Sequence, residues 1–234
     1  MQALNKSITR RMYLSIHRLI CIGIFALGAI NAHAQIHTNT ESIRLHGNMS
    51  MGETNLNLTL ITKGQNKLRA TIRGKNHLTR AHIIHNQEQL WTKNSINGQE
   101  SVRQLEGKNA AENLLDLLAL NPEFHFKDRN GFDLSSPIFE GYSIEYTQSE
   151  KPNLNTGKCT PKALQLSEIT DGEAHLIRSI RYISFQKKTT PFIQPKELTL
   201  TDEITGEIGK IVIHKVVYNT PLANFLFELP KVTN

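Results

Sequence analysis

The chain has 234 residues, with 27 Lys and Arg against 21 Asp and Glu, a formal charge of +6 and only 6% aromatic residues. Four of the cations, Lys6, Arg10, Arg11 and Arg18, lie in the first 34 residues with no acidic residue among them, so the remainder carries 6 − 4 = +2, a balance that gives little support to nucleic-acid binding. The only cysteines are Cys21 and Cys159, and removal of the segment holding Cys21 excludes an intrachain disulfide.

That segment, Leu19 to Ala34 (LICIGIFALGAINAHA), ends in the small-x-small sequence Ala32-His33-Ala34. With the basic stretch ahead of it, it reads as an export signal cut after Ala34. The apolar run is shorter than the roughly 20 residues that span a bilayer and is broken by Asn31 and His33, so no stable membrane span is expected after cleavage. Arg18-Leu19-Ile20 lacks the small residue expected before a lipid-modified cysteine, which argues against lipidation at Cys21. Residues 1–34 are therefore a signal peptide, and the 234 − 34 = 200 residues of 35–234 suit one β-rich domain.

Strands dominate the mature chain, because apolar residues recur with period two. Ser42 to Met49 places Ile43 and Leu45 on one side. Thr54 to Thr62 sets Leu56, Leu58 and Leu60 against Asn55, Asn57 and Thr59, giving one dry and one wet face. Lys67 to Ile72 continues with Leu68, Ala70 and Ile72, after turns at Gly52 and Lys63-Gly64-Gln65-Asn66. Further strands are predicted at Ala81 to His85 and Gln89 to Lys93.

From Asn109 to Leu120 the period changes. Ala111, Leu114, Leu115 and Leu118 form a helical stripe with Leu117 beside it, while Glu112 and Asp116 mark the opposite edge. Asn109 followed by Glu112 resembles a capping box, and Asn121-Pro122 stops the helix. At about three turns it is marginal alone, so its leucines are expected to lie on the dry face of the sheet. Strands resume at Gly141 to Thr147, Ala163 to Ile169, His175 to Phe185, Glu197 to Thr201 and Gly209 to Val217. Ser149 to Pro161 and Lys187 to Pro195 read as surface loops. Consecutive short strands imply an antiparallel meander.

Catalytic motifs are absent: there is no G-x-S-x-G, H-E-x-x-H, phosphate loop or C-x-x-C. His82 and His85 have an odd separation, which sends them to opposite faces of a strand and speaks against a shared metal. Cys159 lies in a polar loop beside Lys158 and reads as an unreactive thiol. Asp202-Glu203 before Gly206 suits a hairpin turn. The expectation is a non-enzyme with no catalytic residues, no metal and no cofactor.

The run ELTLTDEITGEIGKIVIHKVVYNTPLANFLFELP, Glu197 to Pro230, resembles the closing strands of the periplasmic outer-membrane lipoprotein carriers (LolA-like, or lipoprotein-sorting proteins) through Asp202, Gly206, Asn219, Leu222, Phe227 and Pro230. Asn86 to Trp91 is similar to the family's turn and strand ending in Leu-Trp, and Leu60 to Ile72 to its strand, Lys-rich turn and strand. The likeness covers most of Ser42 to Pro230. Two departures stand out: little room for a long N-terminal helix, and Gly64 where the carriers typically have an arginine.

The resemblance implies a mainly β (α+β) fold, a curved antiparallel incomplete β-barrel whose concave face is covered by a helix and accepts acyl chains. It implies a periplasmic carrier whose partners are acylated lipoproteins or lipids and a membrane donor or acceptor protein. A periplasmic sensor of the same fold is the alternative, and nucleic acid is not an expected partner. Lining residues on this reading are Leu56, Leu58, Leu60, Leu68, Ile72 and Trp91 from strands, with Leu114, Leu115, Leu117 and Leu118 from the helix. Some or all of them could equally form a filled core.

Overall fold

A computed structural model describes residues 41–64, 67–74, 79–86, 88–122, 136–152, 159–187 and 193–228. The predicted export segment with its expected cleavage point after Ala34, and Pro230, lie outside the described residues. Among the described residues, no helix is long and apolar enough to cross a membrane.

Six strands come first: β1 (Ser42–Met51), β2 (Thr54–Lys63), β3 (Lys67–Gly74), β4 (Thr79–Asn86), β5 (Gln89–Ile96) and β6 (Gln99–Leu105). Helix α1 (Gly107–Leu118) follows, then β7 (Tyr142–Gln148), β8 (Pro161–Thr170), β9 (Glu173–Phe185), β10 (Pro195–Asp202) and β11 (Ile208–Tyr218). Each predicted strand is present within a few residues. One strand went unpredicted, because β6 (QESVRQL) has only two apolar residues and is largely exposed on its outer positions. A signal for it exists in Asn97-Gly98. With φ of 51° and 82°, these residues form the two-residue turn that joins β5 to β6, as Asp171-Gly172 does between β8 and β9.

All eleven strands form one antiparallel sheet in the order β6-β5-β4-β3-β2-β1-β11-β10-β9-β8-β7. The meander is interrupted at one place only, where first and last strands pair in the middle from Ile43 opposite Tyr218 to Met51 opposite Gly209. The edges are consequently β6 and β7, and the connection between them must travel from one edge to the other. Helix α1 lies in that connection.

Ten inter-strand spacings of about 4.8 Å would make a flat sheet some 48 Å wide, whereas a 12-residue helix is only about 18 Å long. Yet a single apolar cluster contains α1 together with residues of β1 to β6 and β8 to β11. The sheet must therefore curve around the helix. Its curvature is aided by register slips in four ladders, β1/β11, β9/β10, β7/β8 and β8/β9, since bulges increase local twist and bend. Among the described residues, the result is an open, strongly curved antiparallel sheet with helix α1 on its apolar face.

The helix begins two residues before the predicted start, with Glu106 at the N-cap and no side-chain cap. The capping-box expectation is thus incorrect. Asn109 lies in the first turn, where its carbonyl accepts from Asn113 Nδ2 at 2.8 Å, while Glu112 pairs with Lys108 at 3.7 Å.

Candidate functional site

Nine of the ten candidate residues share one face. Leu58, Leu60 and Leu68 of the strands and Leu114, Leu115, Leu117 and Leu118 of α1 are buried in the same cluster, none more than 6% exposed. Ile72, opposite Leu58, is partly buried against it. Leu56 shares the face by alternation and sits opposite Met49, itself packed on the cluster. Burial thus declines along β2 and β3, from closed at Leu60 and Leu68 to half-open at Leu56 and Ile72. Met49, Leu56 and Ile72 mark an accessible apolar rim.

Trp91 is placed elsewhere. Leu90 is the inward residue of β5, fully buried in the cluster, so Trp91 projects from the outer face. There it lies opposite Ile84 of β4 and Gln104 of β6, and its Nε1 donates to Gln89 Oε1 at 3.2 Å. Both neighbours in a Leu-Trp pair are apolar, so alternation separates them without saying which faces inward.

The outer face has its own small cluster. Ile61 packs with Leu222 and Phe227 from the segment after β11, which ends in a 3-10 turn at Asn224–Phe227. Side chains on the sheet hold this segment: Lys63 Nζ donates to Leu222 O at 3.0 Å and Asn224 Oδ1 at 2.9 Å, Arg69 to Leu226 O at 3.1 Å, and Asn86 Nδ2 to Phe227 O at 3.3 Å. The turn into the segment uses Asn219, with φ 54°, whose Oδ1 accepts from Glu41 N at 3.0 Å. The lysine of the early hairpin therefore anchors the C-terminal segment.

Polar groups tie α1 to the β9–β10 side of the sheet. Asp116, on the edge of the helix opposite the leucine stripe, forms a bidentate pair with Arg178 of β9, with Arg178 Nε donating to Oδ1 at 3.0 Å and the second nitrogen to Oδ2. The two side chains are only 17% and 13% exposed. Burial raises the Asp116 carboxyl to about 6 against the pull of Arg178, and the carboxylate in turn raises the Arg178 guanidinium despite its burial. Past the helix end, Tyr182 Oη donates to Ala119 O at 3.1 Å, and buried Gln194 donates through Nε2 to Leu120 O at 2.8 Å. Burial pushes the Tyr182 hydroxyl well above its ordinary range, keeping it a donor. None of these partners could be paired by spacing, since they lie 62 to 74 residues apart.

Of the other chemistry-bearing residues, His82 and His85 do fall on opposite faces, with His85 buried inside. Cys159 is a free, half-buried thiol. Asp202 closes the predicted turn by accepting from Ile204 N and Thr205 N, bonds that hold its carboxyl below the usual range. Among the described residues, no three His, Cys, Asp or Glu side chains gather in a way that could hold a metal. The arrangement offers a long aliphatic surface under a hydrogen-bonded helical strap.

No protein-family model and no curated protein matches the sequence. Solved structures do match. An outer membrane lipoprotein-sorting protein domain from Vibrio parahaemolyticus aligns over 86% of this chain and 95% of its own, with a TM-score of 0.50 and 10% identity. A LolA superfamily protein from Nitrosomonas europaea aligns over 81% and 90%, with a TM-score of 0.45 and 11% identity. The open curved sheet, its strapping helix and the first of these alignments together establish that this chain has the LolA-like fold of the lipoprotein-sorting proteins.

Proposed function

We propose that the protein is a periplasmic, non-enzymatic carrier that binds the acyl chains of lipoproteins or other lipids between its sheet and helix α1. The observation that supports this most is topological: the one connection spanning both sheet edges carries a leucine-rich helix across the apolar face. A strap joined to the sheet at both ends can shift outward without exposing strand edges, and Met49, Leu56 and Ile72 provide an apolar rim at which a chain enters. Each buried methylene contributes about 0.8 kcal/mol, so one long acyl chain gains on the order of 10 kcal/mol before the displacement of the helix is subtracted. No charged group is needed for such binding. Export by the N-terminal signal supplies the compartment in which lipoproteins need shielding from water.

The test is displacement of a fluorescent fatty-acid probe from the purified protein, alongside native mass spectrometry of protein recovered from its own cell envelope. Probe binding that Leu118→Trp blocks with the fold retained, as judged by circular dichroism, is the expected result. Failure of the folded protein to bind the probe, together with recovery free of lipid, removes the carrier reading. Co-purification of lipid-free protein with a membrane-spanning regulator would point to the sensor instead.

A further inference from the structure

The outer face of the sheet is strongly basic. In register from β11 to β5, one row reads Lys215, His46, Thr59, Thr71, His82, Lys93, and the adjacent row includes Asn48, Asn57, Arg73, Arg80 and Ser95. Arg44 and Arg69 flank them on the other side. Like charges meet directly at Arg73 and Arg80, while His82 and His46 face Lys93 and Lys215. A like-charge pair directly opposite destabilises a sheet, so stability does not account for Arg73 and Arg80. The field of the cations acts on the histidines. His82 falls to about 4 through burial and then Arg69, Arg80, Arg73 and Lys93, and His46 is lowered by burial, Arg44 and Lys215. Among the described residues, the one carboxylate bridged to Arg44, Arg69, Arg73, Arg80, Lys93 or Lys215 is Glu100, 2.8 Å from Lys93.

We infer that this face docks on an anionic lipid bilayer, Arg44, Arg73, Arg80, Lys93 and Lys215 facing the phosphates of its headgroups while Arg69 stays bonded to the C-terminal segment. Charge complementarity requires an anionic partner, and the patch has the character of a headgroup-binding surface. Its open middle is hydroxyls and amides, Thr59, Thr71, Asn48 and Asn57, while Ile61 between Arg44 and Arg69 is already covered by Leu222 and Phe227, so no open apolar centre of the kind a specific protein interface depends on is found there. Six strands at about 4.8 Å make it roughly 24 Å across, wide enough for several mobile headgroups. Beside it, Phe225 stands 66% exposed on the 3-10 turn that packs on β3 and β4, available to sit at headgroup depth. Docking of this kind is independent of whether the opposite, apolar face accepts acyl chains.

Co-flotation with phosphatidylcholine vesicles, with and without phosphatidylglycerol, tests it. The protein should bind only the anionic vesicles and release them as salt rises. Each cation near an anionic leaflet is worth about a fivefold change in binding, so Arg73→Gln/Arg80→Gln should weaken it at least tenfold, and Arg73→Glu/Arg80→Glu further. Both arginines are exposed, and the glutamine pair relieves a like-charge contact, so the fold should survive. Lys162→Glu/Lys196→Glu, which changes net charge at exposed sites on β8 and β10, should retain most binding. The inference fails if anionic vesicles are not bound at low ionic strength, or if both charge-reversal pairs weaken binding equally.

Discussion

Replacing Asp116 by asparagine probes the tie between helix and sheet. The carboxylate is the partner of Arg178, which is 13% exposed and sits under the helix. Removing one member of a fully buried ion pair costs about 3–5 kcal/mol, whereas an exposed pair contributes about 0–1 kcal/mol. With 17% and 13% exposure this pair is near the buried limit, but asparagine keeps one acceptor oxygen for Arg178. Because burial raises the Asp116 carboxyl, part of that cost is offset by no longer burying a carboxylate, and a loss of about 1 kcal/mol is expected. For a domain of this size that lowers Tm by about 2–4 °C in a thermal melt followed by circular dichroism. The double variant Asp116→Leu/Arg178→Met, apolar and of similar volume, should recover most of the loss, because no charge is then left unpaired. If the helix moves aside for a ligand, Asp116→Asn should also raise affinity for the fatty-acid probe, since the closed state is weakened more than the open one. A Tm within about 1 °C of the parent, or a double variant as unstable as the single one, would refute the reasoning.

The pH dependence of stability should contain two opposed contributions. Asp116 rises from 3.8 unfolded to about 6 folded, so its contribution favours folding at low pH and is lost as pH rises through about 6. His82 falls from 6.5 to about 4, so its contribution is present above 6.5 and lost as pH falls toward 4. Urea titrations across this window should show stability falling with pH in His82→Gln and rising with pH in Asp116→Asn; parallel profiles would rule out both assignments. Gly47 tests the β1/β11 bulge, because a Cβ there would lie 2.5 Å from the Val212 carbonyl oxygen and the neighbour is backbone. Gly47→Ala should cost about 1–3 kcal/mol in chemical denaturation, and an unchanged midpoint would show that the ladder gives way freely.

Much of the fold was legible because burial of a single face imposes period two on strands and period 3.6 on a helix. Leu56, Leu58 and Leu60 declared their face in this way, as did the four leucines of α1. Where a strand has little to bury, the signal fades, which is why β6 escaped notice despite its Asn97-Gly98 turn. Where both faces are covered, alternation separates residues without orienting them. Leu90 faces the core beside His85 of β4 and Leu105 of β6, and Trp91 takes the outer side, a choice that strand pairing makes and alternation alone does not.

The amino-acid sequence by itself determined the local elements, the helix among strands and the apolar character of the surface that the helix covers, since these arise from side-chain spacing within a dozen residues. Only the tertiary structure decided that β1 and β11 meet at the centre, leaving β6 and β7 as edges to be joined across the apolar face. It alone brought Arg178 to Asp116 and gathered cations from β11, β1, β3, β4 and β5 onto one outer surface. Contacts of this kind are between residues distant in the chain, and nothing in local periodicity encodes which distant strand will lie alongside.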